Sequence, residues 1–351
     1  MQTYVDDLVQ AACDNHASDL FFTEGTVGRI KINGIIHPCG DRRLTREEVA
    51  GFWKFCNANP ETDQDVDSAF VAPNGTRFRV NCHRHSGTLG VVMRLIRNIV
   101  PSMTSLGLPE GLLEMWLQRK NGLLLVTGPT GSGKSTTLAA CIEWINERMP
   151  YHVVTIEDPI EYEFRTKQSF FTQRQVGHDT PSFATGLRSA LRQAPNLIFL
   201  GEIRDAESAL IALQAAETGH LVFGSLHSAT VTDALERFTH LMDEAQRESV
   251  QTLLSYQLIG ILSQQLLPSV NGDKYVLVCE HLDVQAAARD WIRDMSLPEI
   301  REFMRRPDSP NNRTFLDSLV QSYQNGQISY DTALAHCGNY HEFNRLLRGI
   351  S

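Results

Sequence analysis

The feature that most restricts the fold of this chain is a glycine-rich segment that follows a short apolar run. The run Leu123–Val126 is continuously apolar, and the segment Gly128-Pro-Thr-Gly-Ser-Gly-Lys-Ser135 matches GxxxxGK[ST] at every position. A helical stretch from Thr136 to Glu147 comes next. Strand, loop and helix are the context that this pattern requires, because the loop amides must surround a phosphate at the N-terminus of a helix. The segment therefore predicts an α/β fold with a phosphate site at one edge of a parallel sheet.

The positions of this phosphate loop predict ATP as ligand and Mg²⁺ as cofactor. Glycines let the backbone amides turn inward around the β-phosphate. Lys134 is expected to reach the β- and γ-phosphates, and Ser135 to ligate Mg²⁺. The alternative is a glycine-rich turn that binds nothing. The residues predicted to hold the nucleotide are Gly128, Pro129, Thr130, Gly131, Ser132, Gly133, Lys134, Ser135 and Thr136.

Two acidic clusters follow later apolar runs of the chain. One lies in Ile156–Glu161 and the other in Leu200–Asp205. Ligands of parallel sheets bind at the carboxyl ends of the strands, so both clusters are expected beside the phosphate loop. Hydrolysis needs one acid near the metal and another that polarises the attacking water, and Glu161 and Glu202 are the candidates. The alternative for Asp158 and Asp205 is that each caps a helix.

Two histidines lie at opposite ends of another predicted strand. His220 precedes the apolar run Leu221–Phe223, and His227 follows it. His227 is expected to face the phosphate site, where a neutral imidazole could sense the γ-phosphate or steady the catalytic water. For His220 the alternative is a structural residue bonded to nearby backbone.

The remaining pattern divides the chain into four parts. Residues 1–98 alternate strand-like and helical runs and predict a small α+β domain, with a helix capping box at Thr45 and Glu48 and a hairpin turn at Ser86-Gly87. Residues 99–109 read as a linker, residues 110–284 as the sheet domain, and residues 285–351 as a helical C-terminal region. Short apolar runs separated by helical segments indicate a mainly parallel sheet buried on both faces. They lie at 123–126, 153–156, 197–200 and 221–223; after Thr230 the pattern is helical apart from a strand at 275–278.

Charge and cysteine usage exclude several classes of protein. The chain has 32 Lys and Arg against 41 Asp and Glu, a net charge of −9, which argues against a nucleic-acid partner. It has no apolar run near the ~18 residues of a membrane span, and its N-terminus is acidic, so a cytoplasmic location is expected. Its seven cysteines include no CxxC, which argues against a zinc site or a disulfide framework.

Three further segments accompany the phosphate loop in an order that resembles a known family. They are TIEDPIEYEF from Thr155, LGEIRDAES from Leu200 and TGHLVFGSLHS from Thr218. With GPTGSGKSTT they resemble the Walker A, Asp box, Walker B and His box of the secretion ATPases, and within these the type IV pilus retraction ATPases of the PilT/PilU type. The segments ASDLFF and RFRVN near the N-terminus are also similar, so the resemblance spans nearly the whole chain.

The resemblance implies a fold, an assembly and a role for each motif. It implies a PAS-like N-terminal domain, a RecA-like ATPase core and a hexamer with ATP at the subunit interfaces. It also implies an inner-membrane platform protein at the pilus base as partner, a peripheral association with that membrane, and a second retraction ATPase as a further candidate partner. The implied roles are Glu161 as general base, Glu202 as the acid near Mg²⁺, directly or through water, His220 and His227 as the His box, and Arg77, Arg79 and Arg94 as arginines directed toward nucleotide across a domain or subunit boundary.

The C-terminal sequence favours the accessory kind of retraction motor. The AIRNLIRE-like stretch of principal motors is reduced to Ala287-Ala-Arg-Asp-Trp-Ile-Arg-Asp294, and the end of the chain resembles the PilU type. Two alternatives share the motifs: a traffic ATPase of a type IV secretion or conjugation system, and a ring subunit that binds nucleotide without hydrolysing it. A RecA-like nucleic-acid motor shares only the phosphate loop and the sheet.

Overall fold

The computed structural model describes residues 4–32, 34–96, 99–272, 274–306 and 308–349, and it divides into two compact units. The first unit comprises Met1–Ile99 together with Glu161–Glu163, and the second comprises Val100–Ile160 and Phe164–Ser351. Residues 97 and 98, at the predicted end of the N-terminal domain, lie outside the described residues. The four predicted domain limits stay predictions, and the assignment of Glu161–Glu163 to the first unit was not anticipated.

The first unit is an antiparallel sheet covered on one face by two helices. The elements are α1 Tyr4–Asp14, β1 Asp19–Thr23, β2 Val27–Ile32, β3 Ile35–Arg43, α2 Arg46–Phe55, β4 Asp65–Val71, β5 Arg77–His85 and β6 Thr88–Ile96. The sheet order is β3-β2-β1-β6-β5-β4. Alternate residues such as Leu20, Phe22 and Val80 point to the helices and form the core with Trp53.

Two local predictions for this unit are confirmed. Thr45 and Glu48 form a capping box before α2: the Glu48 amide donates to Thr45 Oγ1 over 3.3 Å, and the Thr45 amide donates to Glu48 Oε2 over 2.9 Å. Ser86 and Gly87 join β5 to β6 with φ of 50° and 81°, the positive values that two-residue hairpin turns need.

The second unit is a seven-stranded sheet with helices on both faces, followed in the described residues by five further helices. Strands β7, β10 and β11 are buried along their whole length, as expected for strands covered on both faces. The elements are α3 Glu110–Leu117, β7 Gly122–Thr127, α4 Lys134–Arg148, β8 His152–Glu157, β9 Phe170–Gln175, α5 Phe183–Ala190, β10 Leu197–Leu200, α6 Ala206–Glu217, β11 Leu221–Leu226, α7 Val231–His240, α8 Glu244–Gln257, β12 Leu258–Pro268, β13 Tyr275–Asp283, α9 Ala286–Arg293, α10 Leu297–Met304, α11 Phe315–Gln324, α12 Tyr330–His336 and α13 Tyr340–Leu347.

The sheet order is β13-β12-β7-β11-β10-β8-β9, and every neighbouring pair is parallel except β12 with β13. The predicted mainly parallel sheet, the α/β class and the helical C-terminal region are therefore confirmed. Strands β9 and β12 were not predicted. Residues Leu258–Gln264 of β12 are all buried, and this largely apolar segment fits a buried helix as well as a strand.

None of the helices in the described part of the chain combines the length and the apolar sequence that crossing a bilayer requires.

Candidate functional site

Four parallel strands of the second unit bring the predicted motifs to one edge of its sheet. The register aligns Thr127 of β7 with Leu226 of β11, and Leu200 of β10 with both Gly224 of β11 and Ile156 of β8. The phosphate loop, His227, Glu202 and Asp158 follow these strands, so all of them lie at the carboxyl edge of the sheet. This is the edge at which parallel α/β sheets bind their ligands.

The phosphate loop connects β7 to α4 through a backbone that only glycine can adopt at two key positions. Gly128 has φ of 149°, and Gly133, the N-cap of α4, has φ of 89°. A Cβ atom on Gly128 would collide with the main-chain oxygen of Gln264 and the hydroxyl of Ser132. The loop therefore has no room for a side chain at Gly128, and it leads directly into the N-terminus of α4. A close backbone approach next to a helix N-terminus suits the binding of a polyphosphate.

Lys134 is the charged residue of this cradle. Its side chain is only 8% exposed, and its Nζ donates to the carbonyl oxygens of Gly128 over 2.9 Å and Pro129 over 3.0 Å. These bonds hold the ammonium inside the loop. Pro129, Thr130 and Gly131 form the exposed rim, and Ser135 and Thr136 lie in the first turn of α4.

Gln264 of β12 contacts the phosphate loop from the neighbouring strand, and it was not among the site residues predicted from the sequence. Its Nε2 donates to the Ser132 carbonyl oxygen over 2.6 Å, and its side chain is 1% exposed. Within the described residues, Gln264 Oε1 and Ser132 Oγ are buried without a hydrogen-bond partner. A buried acceptor and a buried hydroxyl without partners are costly, and both belong to the loop that would receive a phosphate. The feature of the sequence that could have indicated Gln264 is the polar pair Gln264-Gln265 within a largely apolar run.

An acidic and imidazole cluster lies at the same edge of the sheet. Glu202 Oε2 accepts a hydrogen bond from Arg204 Nε over 2.8 Å, and Glu202 Oε1 lies 3.4 Å from His227 Nε2. Arg204 Nη1 also lies 3.7 Å from Asp158 Oδ2. The structure therefore brings Glu202 and His227 into one group, linked through Arg204 to Asp158.

The capping interpretation holds for Asp205 and is wrong for Asp158. Asp205 is the N-cap of α6, and its Oδ1 accepts from the Ser208 amide over 2.7 Å. No helix follows Asp158 in the described residues up to β9, so it has no helix to cap. Glu157, the neighbour of Asp158 in the first acidic cluster, is 6% exposed. Its Oε1 accepts a hydrogen bond from Thr155 Oγ1 over 2.6 Å, which is a structural contact.

His220 does not join the group at the carboxyl edge. It precedes Leu221, which pairs with the first residue of β7, so it lies at the opposite edge of the sheet. Its Nδ1 contacts the Ala215 carbonyl oxygen at 3.0 Å and its amide donates to the same oxygen. A whole strand therefore separates His220 from the phosphate loop of its own chain, and its predicted contact with nucleotide stays a prediction.

Glu161 and the three predicted arginines belong to the first unit. Arg79 of β5 and Arg94 of β6 are directly opposite each other, and Arg77 shares their face of the sheet. Each has a carboxylate partner: Arg77 with Glu163 at 2.5 Å, Arg79 with Asp67 at 3.4 Å and Arg94 with Asp19 at 2.9 Å. These ion pairs offset the repulsion between the directly opposed Arg79 and Arg94, and the role of the three arginines toward nucleotide stays a prediction.

The side chains present also suit a magnesium ion. Mg²⁺ prefers oxygen ligands and is commonly held by one or two protein groups together with substrate phosphates and water. The Ser135 hydroxyl in the first turn of α4 and the Glu202 carboxylate supply such oxygens. Among the described residues there is no group of three or more His, Cys, Asp or Glu side chains that could hold a metal without a substrate.

Known proteins resemble this chain along nearly its whole length. The profile of a family described as "Type II/IV secretion system protein" matches residues 1–294. The type IV pilus ATPase PilU of Pseudomonas aeruginosa is 35% identical over 346 residues, which cover 97% of this chain and 90% of PilU. The type IV pilus retraction ATPase PilT of the same organism is 34% identical over 334 residues, covering 94% of this chain and 96% of PilT.

A solved structure extends the similarity to the fold. The crystal structure of the pilus retraction motor PilT with bound ADP matches with a TM-score of 0.89 and 38% identity, and the match covers 98% of this chain and 99% of that one. The similarity therefore includes the first unit, the sheet of the second unit and the C-terminal helices.

Proposed function

Because the chain belongs to the type II/IV secretion system protein family, we propose that it is an ATPase that powers the retraction of type IV pili. The observation that carries this proposal is the full-length likeness to retraction ATPases combined with an intact phosphate loop. A likeness restricted to the loop would support only nucleotide binding. Here the likeness extends over both units, and acidic side chains lie at the same edge of the sheet as the phosphate loop.

The cradle around Gly128 and the amides at the start of α4 bind the phosphates of ATP. Lys134 exchanges its two loop carbonyls for β- and γ-phosphate oxygens, to which a cation forms stronger bonds. Ser135 and Glu202 would hold Mg²⁺, which neutralises phosphate charge when bound. Gln264 holds the loop carbonyl of Ser132 in place, so the loop amides stay directed toward the ligand.

Hydrolysis requires a water molecule directed at the γ-phosphate and a group that accepts its proton. We assign the proton-accepting role to Glu161. To His227, which lies beside Glu202 at the carboxyl edge of the sheet, we assign the role of orienting the water or contacting the γ-phosphate. The role of His220 in nucleotide binding stays a prediction, and in a ring it would have to be exerted on a neighbouring subunit.

Arg77, Arg79 and Arg94 are proposed to complement the charge of ATP from across a domain or subunit boundary. Arg79→Ala is expected to lower kcat about tenfold to a hundredfold, since one charge-assisted contact to the transition state is worth about 1.5–3 kcal/mol. ATP turnover of purified protein measures the effect, and light scattering verifies that assembly is unchanged.

Arg29→Ala is the control, because Arg29 is another exposed arginine of the same sheet. Its turnover should match the wild type. Equal turnover of Arg79→Ala and the wild type would contradict the role of the arginines.

A ring of six copies is the proposed assembly, at the cytoplasmic face of the inner membrane and in contact with a platform protein of the pilus. The proposal includes a second retraction ATPase as a partner, because the end of the chain resembles the PilU type. Nucleic acid is not among the proposed partners, given the net charge of −9.

Two measurements test the proposed function. Purified chain should elute at the mass of a hexamer in size-exclusion light scattering and hydrolyse ATP. In cells whose own copy of the gene is deleted, labelled pili should still extend, and the frequency or force of retraction should fall and recover with the wild-type gene. Total loss of retraction would indicate the principal motor, and loss of force alone the accessory one.

Other outcomes would overturn the proposal in favour of a specific alternative. Normal retraction together with loss of macromolecular transfer would indicate a traffic ATPase of a secretion or conjugation system. Nucleotide binding without turnover would indicate a non-catalytic ring subunit. Turnover strongly stimulated by single-stranded DNA would indicate a nucleic-acid motor.

A further inference from the structure

Glu280 of β13 joins two helices by its two carboxylate oxygens. Its Oε1 accepts a hydrogen bond from the Val231 amide over 2.6 Å, and its Oε2 accepts one from the Phe315 amide over 3.3 Å. Val231 is the first residue of α7, and Phe315 is the first residue of α11. One side chain therefore caps a helix next to the ATPase site and a helix of the C-terminal region at the same time.

The chemistry of this contact requires a carboxylate. The first amides of a helix lack partners within the helix, and the positive end of the helix dipole favours a negative charge. Burial raises the pKa of Glu280, and the two amide bonds oppose that rise. A glutamine of the same size presents one oxygen and one NH₂ group, so its NH₂ would face one of the two amide donors and lose that bond.

Helix α7 in turn holds the loop that carries His227. The helix begins four residues after His227, and Arg237 of α7 donates from Nη1 to the His227 carbonyl oxygen over 2.9 Å. The first turn of α7 is also held from α10, because Arg301 donates from Nε and Nη2 to Thr232 Oγ1 over 3.1 and 2.9 Å. A displacement of this turn would therefore move His227 relative to Glu202.

We propose that Glu280 is a positioning residue for ATP hydrolysis, which keeps His227 beside Glu202 by bonding the start of α7 to the C-terminal helical region. The inference rests on the proposed ATPase function. Glu280 acts through α7 and not on the substrate, so it affects the rate of the chemical step and leaves nucleotide binding to the phosphate loop.

Glu280→Gln tests this role in the purified full-length chain. We expect kcat to fall about tenfold with KM for ATP within about twofold of the wild type, because small displacements of a catalytic group slow chemistry without weakening binding. The decisive readout is the same substitution in a His227→Ala background. If Glu280 acts through His227, Glu280→Gln should have no further effect there.

Asp317→Asn is the matched control, since Asp317 caps the same helix α11 through the amide and hydroxyl of Thr314. Turnover of this variant should stay within about twofold of the wild type, because its contacts lie within α11. An equal loss in Asp317→Asn and Glu280→Gln would show that α11 is merely destabilised, and would overturn the proposal.

Arg237→Gln keeps the test decisive if Glu280→Gln does not fold, as judged by thermal unfolding. It removes the bond to the His227 carbonyl at an exposed side chain and leaves Glu280 in place. It should lower kcat and lose its effect in the His227→Ala background. The positioning role alone would be overturned by unchanged kcat in the folded variants, or by a full additional loss of kcat in the His227→Ala background. Absent ATP turnover in the wild type would overturn the proposed ATPase function and, with it, the positioning role of Glu280.

Discussion

Replacing Lys134 with methionine is expected to abolish measurable ATP hydrolysis and to weaken ATP binding by at least about a hundredfold. The substitution removes contacts with two phosphates, each worth about 1.5–3 kcal/mol when a charged group takes part, and 1.4 kcal/mol is a factor of ten in Kd. Methionine keeps the length and apolar stem of the side chain, so the cradle retains its packing. Binding of a fluorescent ATP analogue and phosphate release measure the two effects.

Lys167→Met is the matched control for this substitution. Lys167 belongs to the same unit and pairs with Glu143 at 2.6 Å and Glu147 at 2.7 Å, and its side chain is 43% exposed. Exposed ion pairs contribute about 0–1 kcal/mol, so nucleotide affinity should be unchanged. Equal ATP affinity in the wild type and Lys134→Met would contradict the assignment of the phosphate loop.

Changing Glu161 to glutamine is expected to lower kcat about a hundredfold while ATP still binds, since removal of a general base costs about 10²–10⁴ in rate. Glutamine has nearly the same shape and cannot accept the proton of the attacking water. Single-turnover hydrolysis separates this effect from product release. The affinity for ATP, measured by equilibrium binding, should stay near that of the wild type.

Glu163→Gln is the control from the same short segment of the first unit. It removes the ion pair with Arg77, which is half-exposed and contributes little to stability. Its kcat should remain within about threefold of the wild type. A general-base role for Glu161 would be refuted by hydrolysis at the wild-type rate in Glu161→Gln, or by equal losses in both variants.

Local signals predicted those parts of the fold that neighbouring residues determine. The capping box at Thr45 and the turn at Ser86-Gly87 depend on interactions within a few residues, and both formed as predicted. Strand β12 was missed because its parallel partner β7 lies far earlier in the chain, and its largely apolar sequence fits a buried helix as well as a strand. Strand β9, at the edge of the sheet, has a polar sequence without clear alternation, so its pairing with β8 could not be predicted either.

The site shows the same division between local and distant determinants. The loop from Gly128 to Ser135 was predictable, because a phosphate cradle needs glycines at fixed positions in consecutive residues. Gln264 and Glu280 were not predictable, since each acts on backbone groups that lie far away in sequence. A glutamine or glutamate within a strand carries no pattern that identifies a partner so distant in sequence.

The sequence by itself determined the phosphate loop, the α/β class and the family, because these depend on residue types at fixed local spacing. Only the tertiary structure decided that His227 lies beside Glu202, that Arg204 links Glu202 to Asp158, and that Gln264 contacts the phosphate loop. Parallel strands set these positions through hydrogen bonds between segments that are distant in sequence. Their register is a property of the folded sheet, and no stretch of neighbouring residues encodes it.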